Sequence, residues 1–92
     1  MIVRVEYFAQ AREAMGQPRE EVELAPRATV AALLDRLAQD HGGRLAALLL
    51  GPDGRPAPSV LVSVGGQQVR TDTAAELHDG DEVLVIPAVS GG

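Results

Sequence analysis

This 92-residue chain contains no cysteine and no lysine, and its only aromatic residues are Tyr7 and Phe8. Without cysteine there is no disulfide, no thiolate nucleophile and no Cys-based zinc site. Without lysine there is no Schiff-base catalysis and no ε-amino target; all eight basic residues are arginine. Two adjacent aromatics give no platform for stacking bases. A net charge of −5 also argues against binding a phosphate backbone, which needs clustered cations. Nucleic acid is excluded as a partner. No apolar run approaches the roughly 18 residues of a membrane span, and the start lacks a basic-then-apolar signal pattern. A soluble, cytoplasmic protein with no membrane partner is expected.

What is present is an ordinary apolar fraction, 46%, made mostly of Ala, Leu and Val. A chain this short forms one domain and buries roughly 60–65% of its unfolded surface. Val3, Val5 and Tyr7 alternate with Arg4 and Glu6, the period of a half-buried strand. Residues 9–16 read as a helical turn or ordered loop stopped by Gly16 and Pro18. Residues 20–24 alternate again, and their glutamates, placed on the outer face, mark a sheet edge. Thr29 caps a helix in which Val30, Leu33, Leu34, Leu37 and Ala38 form the apolar stripe, ending at His41 and a left-handed Gly42-Gly43 stop. Residues 44–50 suggest a second short helix or apolar turn, and 51–58, with three prolines, a surface loop. Residues 60–64 and 67–70 form a hairpin about Gly65-Gly66. Residues 71–77 read as a turn of helix, and 78–81 as a turn into the strand 82–87. That strand is apolar on both faces, which places it centrally. Two strands, a helix and three strands, with the last returning beside the first, give an α+β fold, the β-grasp. Its mixed sheet of four or five strands packs on one main helix. The domain spans residues 1–87, and 88–92 is a flexible tail. Val3, Val5, Leu33, Leu37, Val62, Val83 or Leu84, and Val85 or Ile86 are the expected core.

Catalytic constellations are lacking. His41 sits at a helix C-terminus, where it complements the dipole, and His78 in a turn. Asp79-Gly80-Asp81, with Asp72 and Glu76 upstream, lacks the ligand ladder of a calcium site, and Asp-Gly is a common turn pair. Ser59, Ser63 and Ser90 have no nucleophile-elbow context, and the glycine pairs lack phosphate-loop spacing. No metal site is expected. Pro52, Pro56 and Pro58 belong to a loop.

The Gly91-Gly92 end is different. With 10 glycines in 92 residues, such a pair arises at random about 1% of the time. Pro87 removes a backbone donor and stops the ladder, after which Ala88, Val89, Ser90, Gly91 and Gly92 form an arm. Two glycines leave a terminal carboxylate free to thread a narrow partner tunnel. A carboxylate is ionised at neutral pH and a poor electrophile. It must be activated, most simply as an acyl-adenylate made with ATP and Mg²⁺. This chain has no site for ATP, so a partner supplies it. Having no cysteine, the chain can carry sulfur only on its terminal carbonyl, as a thiocarboxylate.

Residues 2–16 (IVRVEYFAQAREAMG), the Thr29 helix start and residues 77–92 (LHDGDEVLVIPAVSGG) together resemble the small β-grasp sulfur carriers. These are the MoaD, ThiS and CysO-type proteins. The resemblance spans the whole chain. FAQAREAMG is most similar to MoaD, whereas IPAVSGG is closer to the CysO-type ending; the MoaD end usually has aromatics followed by Pro-Pro. The chain is long for ThiS. The resemblance implies that a ubiquitin-activating-like enzyme adenylates Gly92. A sulfur donor then converts it to a thiocarboxylate, which an acceptor synthase subunit uses, in molybdopterin or cysteine biosynthesis. On this reading the chain is a carrier, not an enzyme. Gly91 and Gly92 carry the chemistry, while Ala88, Val89 and Ser90 form the arm. An apolar sheet face is expected to dock partners through Phe8, Pro87 and whichever of Leu84 or Ile86 faces away from the helix. Two alternatives are a ubiquitin-like modifier joined to lysines of other proteins, and an inert β-grasp interaction domain.

Overall fold

A computed structural model describes residues 1–71 and 74–87. Strand β1 (Ile2–Tyr7) leads into helix α1 (Ala9–Met15) and returns as β2 (Arg19–Glu23). Helices α2 (Val30–His41) and α3 (Gly43–Leu49) follow, then strands β3 (Val60–Val64), β4 (Gln67–Val69) and β5 (Glu82–Pro87). The five strands lie in the order β2-β1-β5-β3-β4. β1 and β5 are parallel, with Val5 opposite Val83 and Tyr7 opposite Val85; the other neighbours are antiparallel. The β-grasp arrangement expected from the strand pattern is present, with β5 in the middle and β2 at an edge.

Strand alternation sends one set of side chains to the helices. Val3, Val5, Val62, Val83 and Val85 are fully buried, as are Leu33, Leu34 and Leu37 of α2. Val83 and Val85 are thus the core residues of β5, and Leu84 and Ile86 take the opposite face. Thr29 caps α2 as expected, its Oγ1 accepting from the Ala32 N–H at 3.1 Å. Two further helices join the main one. Gly42 and Gly43, at φ +58° and +50°, join α2 to α3 with no intervening loop, so the expected stop is also the start of a helix. Gly65 and Gly66, at φ +58° and +86°, make the two-residue turn between β3 and β4, a geometry that favours glycine.

Two expectations are corrected here. Residues 74–77 are not helical: Glu76 bridges to Thr29, and the Leu77 N–H donates to the Ala28 carbonyl at 2.7 Å. Pairing with the chain entering α2 outweighs the weak local helix preference, and it buries Leu77. Secondly, of the three glutamates of β2 only Glu21 and Glu23 are outward and exposed. Glu20 pairs with Val5 and lies on the helix side, because its N-terminal end of the strand reaches past the apolar core to polar partners.

Leu37 lies at the centre of the core with no exposed surface. Leu37→Ala is expected to lower unfolding free energy by about 2–5 kcal/mol through the cavity it leaves. Chemical denaturation measures this, and a loss under about 1 kcal/mol would contradict the helix register.

Candidate functional site

The outer face of the sheet carries no helix, and its character changes along the strands. Near the strand starts it is charged, with Arg4 3.8 Å from both Glu21 and Glu82. Toward the end of β5 it becomes apolar. Leu84 lies between Glu6 and Ser63, and Ile86 lies opposite Leu61. Continuing the parallel register past Tyr7–Val85 sets Phe8 abreast of Ile86. The result is a row, Phe8–Ile86–Leu61, across three strands, with Leu84 behind it. Phe8 and Leu61 are 37% and 39% exposed, and Leu84 and Ile86 are half-buried.

Backbone bonds fix this row. The Phe8 N–H donates to the Val85 carbonyl at 3.1 Å, and its own carbonyl accepts from the Ala11 N–H at 3.1 Å. Phe8 therefore ends the β1 ladder and opens α1. Its side chain stays on the surface instead of completing the core. Pro87 requires a correction: it pairs with Val60 on the helix side and is buried. It stands two positions after Val85 and so on the same face, and it cannot join Leu84 and Ile86. Leu61, by contrast, was not anticipated on this face, although its alternation with buried Val60 and Val62 was the available signal. A cleft of about 420 Å³ runs beside Leu61, lined by Pro56, Pro58, Val60 and Val69 among others. The proposed arm, Ala88, Val89, Ser90, Gly91 and Gly92, lies outside the described residues and follows directly on β5.

The ionisable groups are engaged structurally. Asp79 Oδ1 accepts from the Ile2 N–H at 2.7 Å, and Asp81 Oδ2 from the His78 N–H at 2.8 Å. The 78–81 segment is thus a turn that ties β5 to the start of β1, as the sequence suggested. Tyr7 donates its hydroxyl to Glu20 Oε2 at 2.6 Å, and His41 Nε2 lies 2.7 Å from the same oxygen. That trio joins β1, β2 and the end of α2, and gives His41 a packing partner beyond the helix dipole. Burial raises the Tyr7 hydroxyl pKa well above its ordinary value, helped by the bond to Glu20 and by the negative charge of Glu20 and Asp40. Such a tyrosine is a donor, not a nucleophile. Among the described residues no group of three or more His, Cys, Asp or Glu side chains could hold a metal ion, and no helix there is long and apolar enough to cross a membrane.

The strand order and the helices packed on one face define a ubiquitin-like β-grasp fold. The chain belongs to the ThiS family, whose profile matches residues 5–92. It is 35% identical to the molybdopterin synthase sulfur carrier subunit of Mycobacterium tuberculosis, over 98% of this chain and 96% of that one. It is 34% identical to small archaeal modifier protein 3 of Haloferax volcanii over the full length of both. The crystal structure of SAMP1 from Haloferax volcanii superposes with a TM-score of 0.87 at 28% identity, covering 100% of both chains. The family expected from the two ends of the chain is therefore the right one.

Tyr7 is the sole tyrosine, so its titration can be followed by phenolate absorbance alone. Its pKa is raised by folding, so the stability it contributes is intact below the unfolded value near 10 and declines as pH rises further. Native protein should show no phenolate at about pH 10.5 while urea-unfolded protein shows it largely formed. Tyr7→Phe should lose that alkaline decline and cost about 0.5–3 kcal/mol at neutral pH.

Proposed function

We propose that this protein is a sulfur carrier, and that Gly92 is its reactive residue. An adenylating partner docks on the Phe8–Ile86–Leu61 row and receives the arm beyond Pro87. The Gly92 carboxylate attacks the α-phosphate of ATP, with Mg²⁺ balancing charge, and pyrophosphate leaves. Sulfide-level sulfur from a donor then attacks the acyl carbon and AMP leaves, giving a thiocarboxylate that an acceptor synthase subunit consumes. Adenylate, donor and acceptor site all belong to partners, in the cytoplasm where ATP is available. The observation that carries this reading is positional: the sheet's exposed apolar row sits at the end of β5, the strand that runs straight into the arm. A partner gripping the row holds the arm's origin fixed, so Gly91 and Gly92 need only reach from there. The name of the Mycobacterium tuberculosis relative, a sulfur carrier subunit of a synthase, supports both the cargo and the need for a second subunit.

A second reading has its own support. The Haloferax volcanii relative is named a modifier protein, and an acyl-adenylate is open to attack by a deprotonated lysine amine as well as by sulfur. Here the products would be other proteins, because this chain has no lysine to accept its own kind.

Incubation with the adenylating enzyme, ATP, Mg²⁺ and a sulfur source should raise the intact mass by the difference between sulfur and oxygen, mapping to Gly92. One alanine added after Gly92 should abolish the change while leaving the melting curve intact, since only reach and end chemistry differ. Conversion that survives the added alanine would overturn the assignment to Gly92. Protein adducts that vanish on deleting Gly91-Gly92, without any thiocarboxylate, would favour the modifier reading.

A further inference from the structure

Among the described residues only two that are not glycine have positive φ, Ala9 at +52° and Arg27 at +70°. A residue with a Cβ is disfavoured there, and it stays only where neighbouring structure imposes it. Ala9 is exposed, so no core packing rewards its methyl group. It is the first residue of α1, directly after Phe8 at the end of the β1 ladder. On one side the Phe8 N–H is bonded to Val85. On the other the Phe8 carbonyl accepts from Ala11 and, at 3.4 Å, from Arg12. The chain must reverse between these anchors, and glycine would do so without strain.

We propose that Ala9 is a positioning residue for the docking face. The left-handed well open to alanine is small, so the methyl group confines the β1–α1 junction and holds Phe8 abreast of Ile86. Glycine would relieve the strain but open many more conformations at this junction. Phe8 would then have to be ordered on binding, at the expense of affinity. The inference rests on the docking role given above to the Phe8–Ile86–Leu61 row.

Three measurements on the full chain test it. Ala9→Gly should raise Tm by about 2–8 °C, as strain is lost from a domain this small. The ¹⁵N order parameters at Phe8–Gln10 should fall from a rigid value near 0.85 toward about 0.6. In ATP–pyrophosphate exchange by the adenylating enzyme, the KM for the carrier should rise about threefold or more with kcat unchanged. Ala9→Asn, which tolerates this region and keeps a side chain, should bring KM back. An unchanged or lower Tm would show that the strain is too small to outweigh the unfolded-state entropy that glycine adds, and would overturn the strain premise. Unchanged order parameters would show that Ala9 does not hold Phe8, and an unchanged KM while Phe8→Ala raises it would overturn the positioning role alone. If Phe8→Ala also leaves KM unchanged, the docking reading fails and the positioning role with it.

Discussion

β5 pairs with β1 in parallel on one side and with β3 in antiparallel on the other, and most of the molecule's logic follows from that placement. A strand flanked on both sides must satisfy two faces. Val83 and Val85 go to the helices with no exposed surface, while Leu84 and Ile86 stay half-open on the bare face. One six-residue strand therefore closes the core and forms the centre of the exposed apolar row. The parallel pairing matters because it aligns the ends of β1 and β5. Phe8 and Ile86 consequently share a row.

The division of labour explains why the chain needs so little chemistry of its own. Its carboxylates at Asp79 and Asp81 receive backbone N–H groups, and Glu20 receives Tyr7. These contacts fasten β1 to its surroundings: the 78–81 turn holds its start, and the Tyr7–Glu20–His41 trio its end. The ends of the central β1–β5 pair are thus clamped by polar contacts and its middle by burial. Such a frame keeps the bare face of the sheet in one arrangement. Binding energy is then not spent on ordering the surface that the partner grips.

Much of this was legible in the residues. The alternation of Val3, Val5 and Tyr7, the stripe from Val30 to Ala38 and the doubly apolar 82–87 segment each imposed one structure through burial. The family was readable from the two ends of the chain. Misreadings arose where long-range contacts decided the outcome. Residues 74–77 have no strong local preference, and only the approach of Thr29 and Ala28 makes them extended. Glu20 looks like Glu21 in sequence, but a hydroxyl from β1 and an imidazole from α2 draw it inward. Pro87 reads as a strand terminator, but the face it takes is set by register with Val60. Ala9 is invisible beforehand, since alanine is among the last residues one would place at positive φ.

The central claim is that the two faces of β5 have separate duties, one for stability and one for the partner. The direct measurement compares Ile86→Thr with Val85→Thr, both of which keep a β-branched side chain suited to a strand. For each, Tm and the affinity for the adenylating enzyme are measured on the same preparation. Ile86→Thr should change Tm by no more than a few degrees and weaken binding about tenfold, whereas Val85→Thr should lower Tm sharply by burying a hydroxyl. Binding by Ile86→Thr that equals the unaltered protein's would contradict the account.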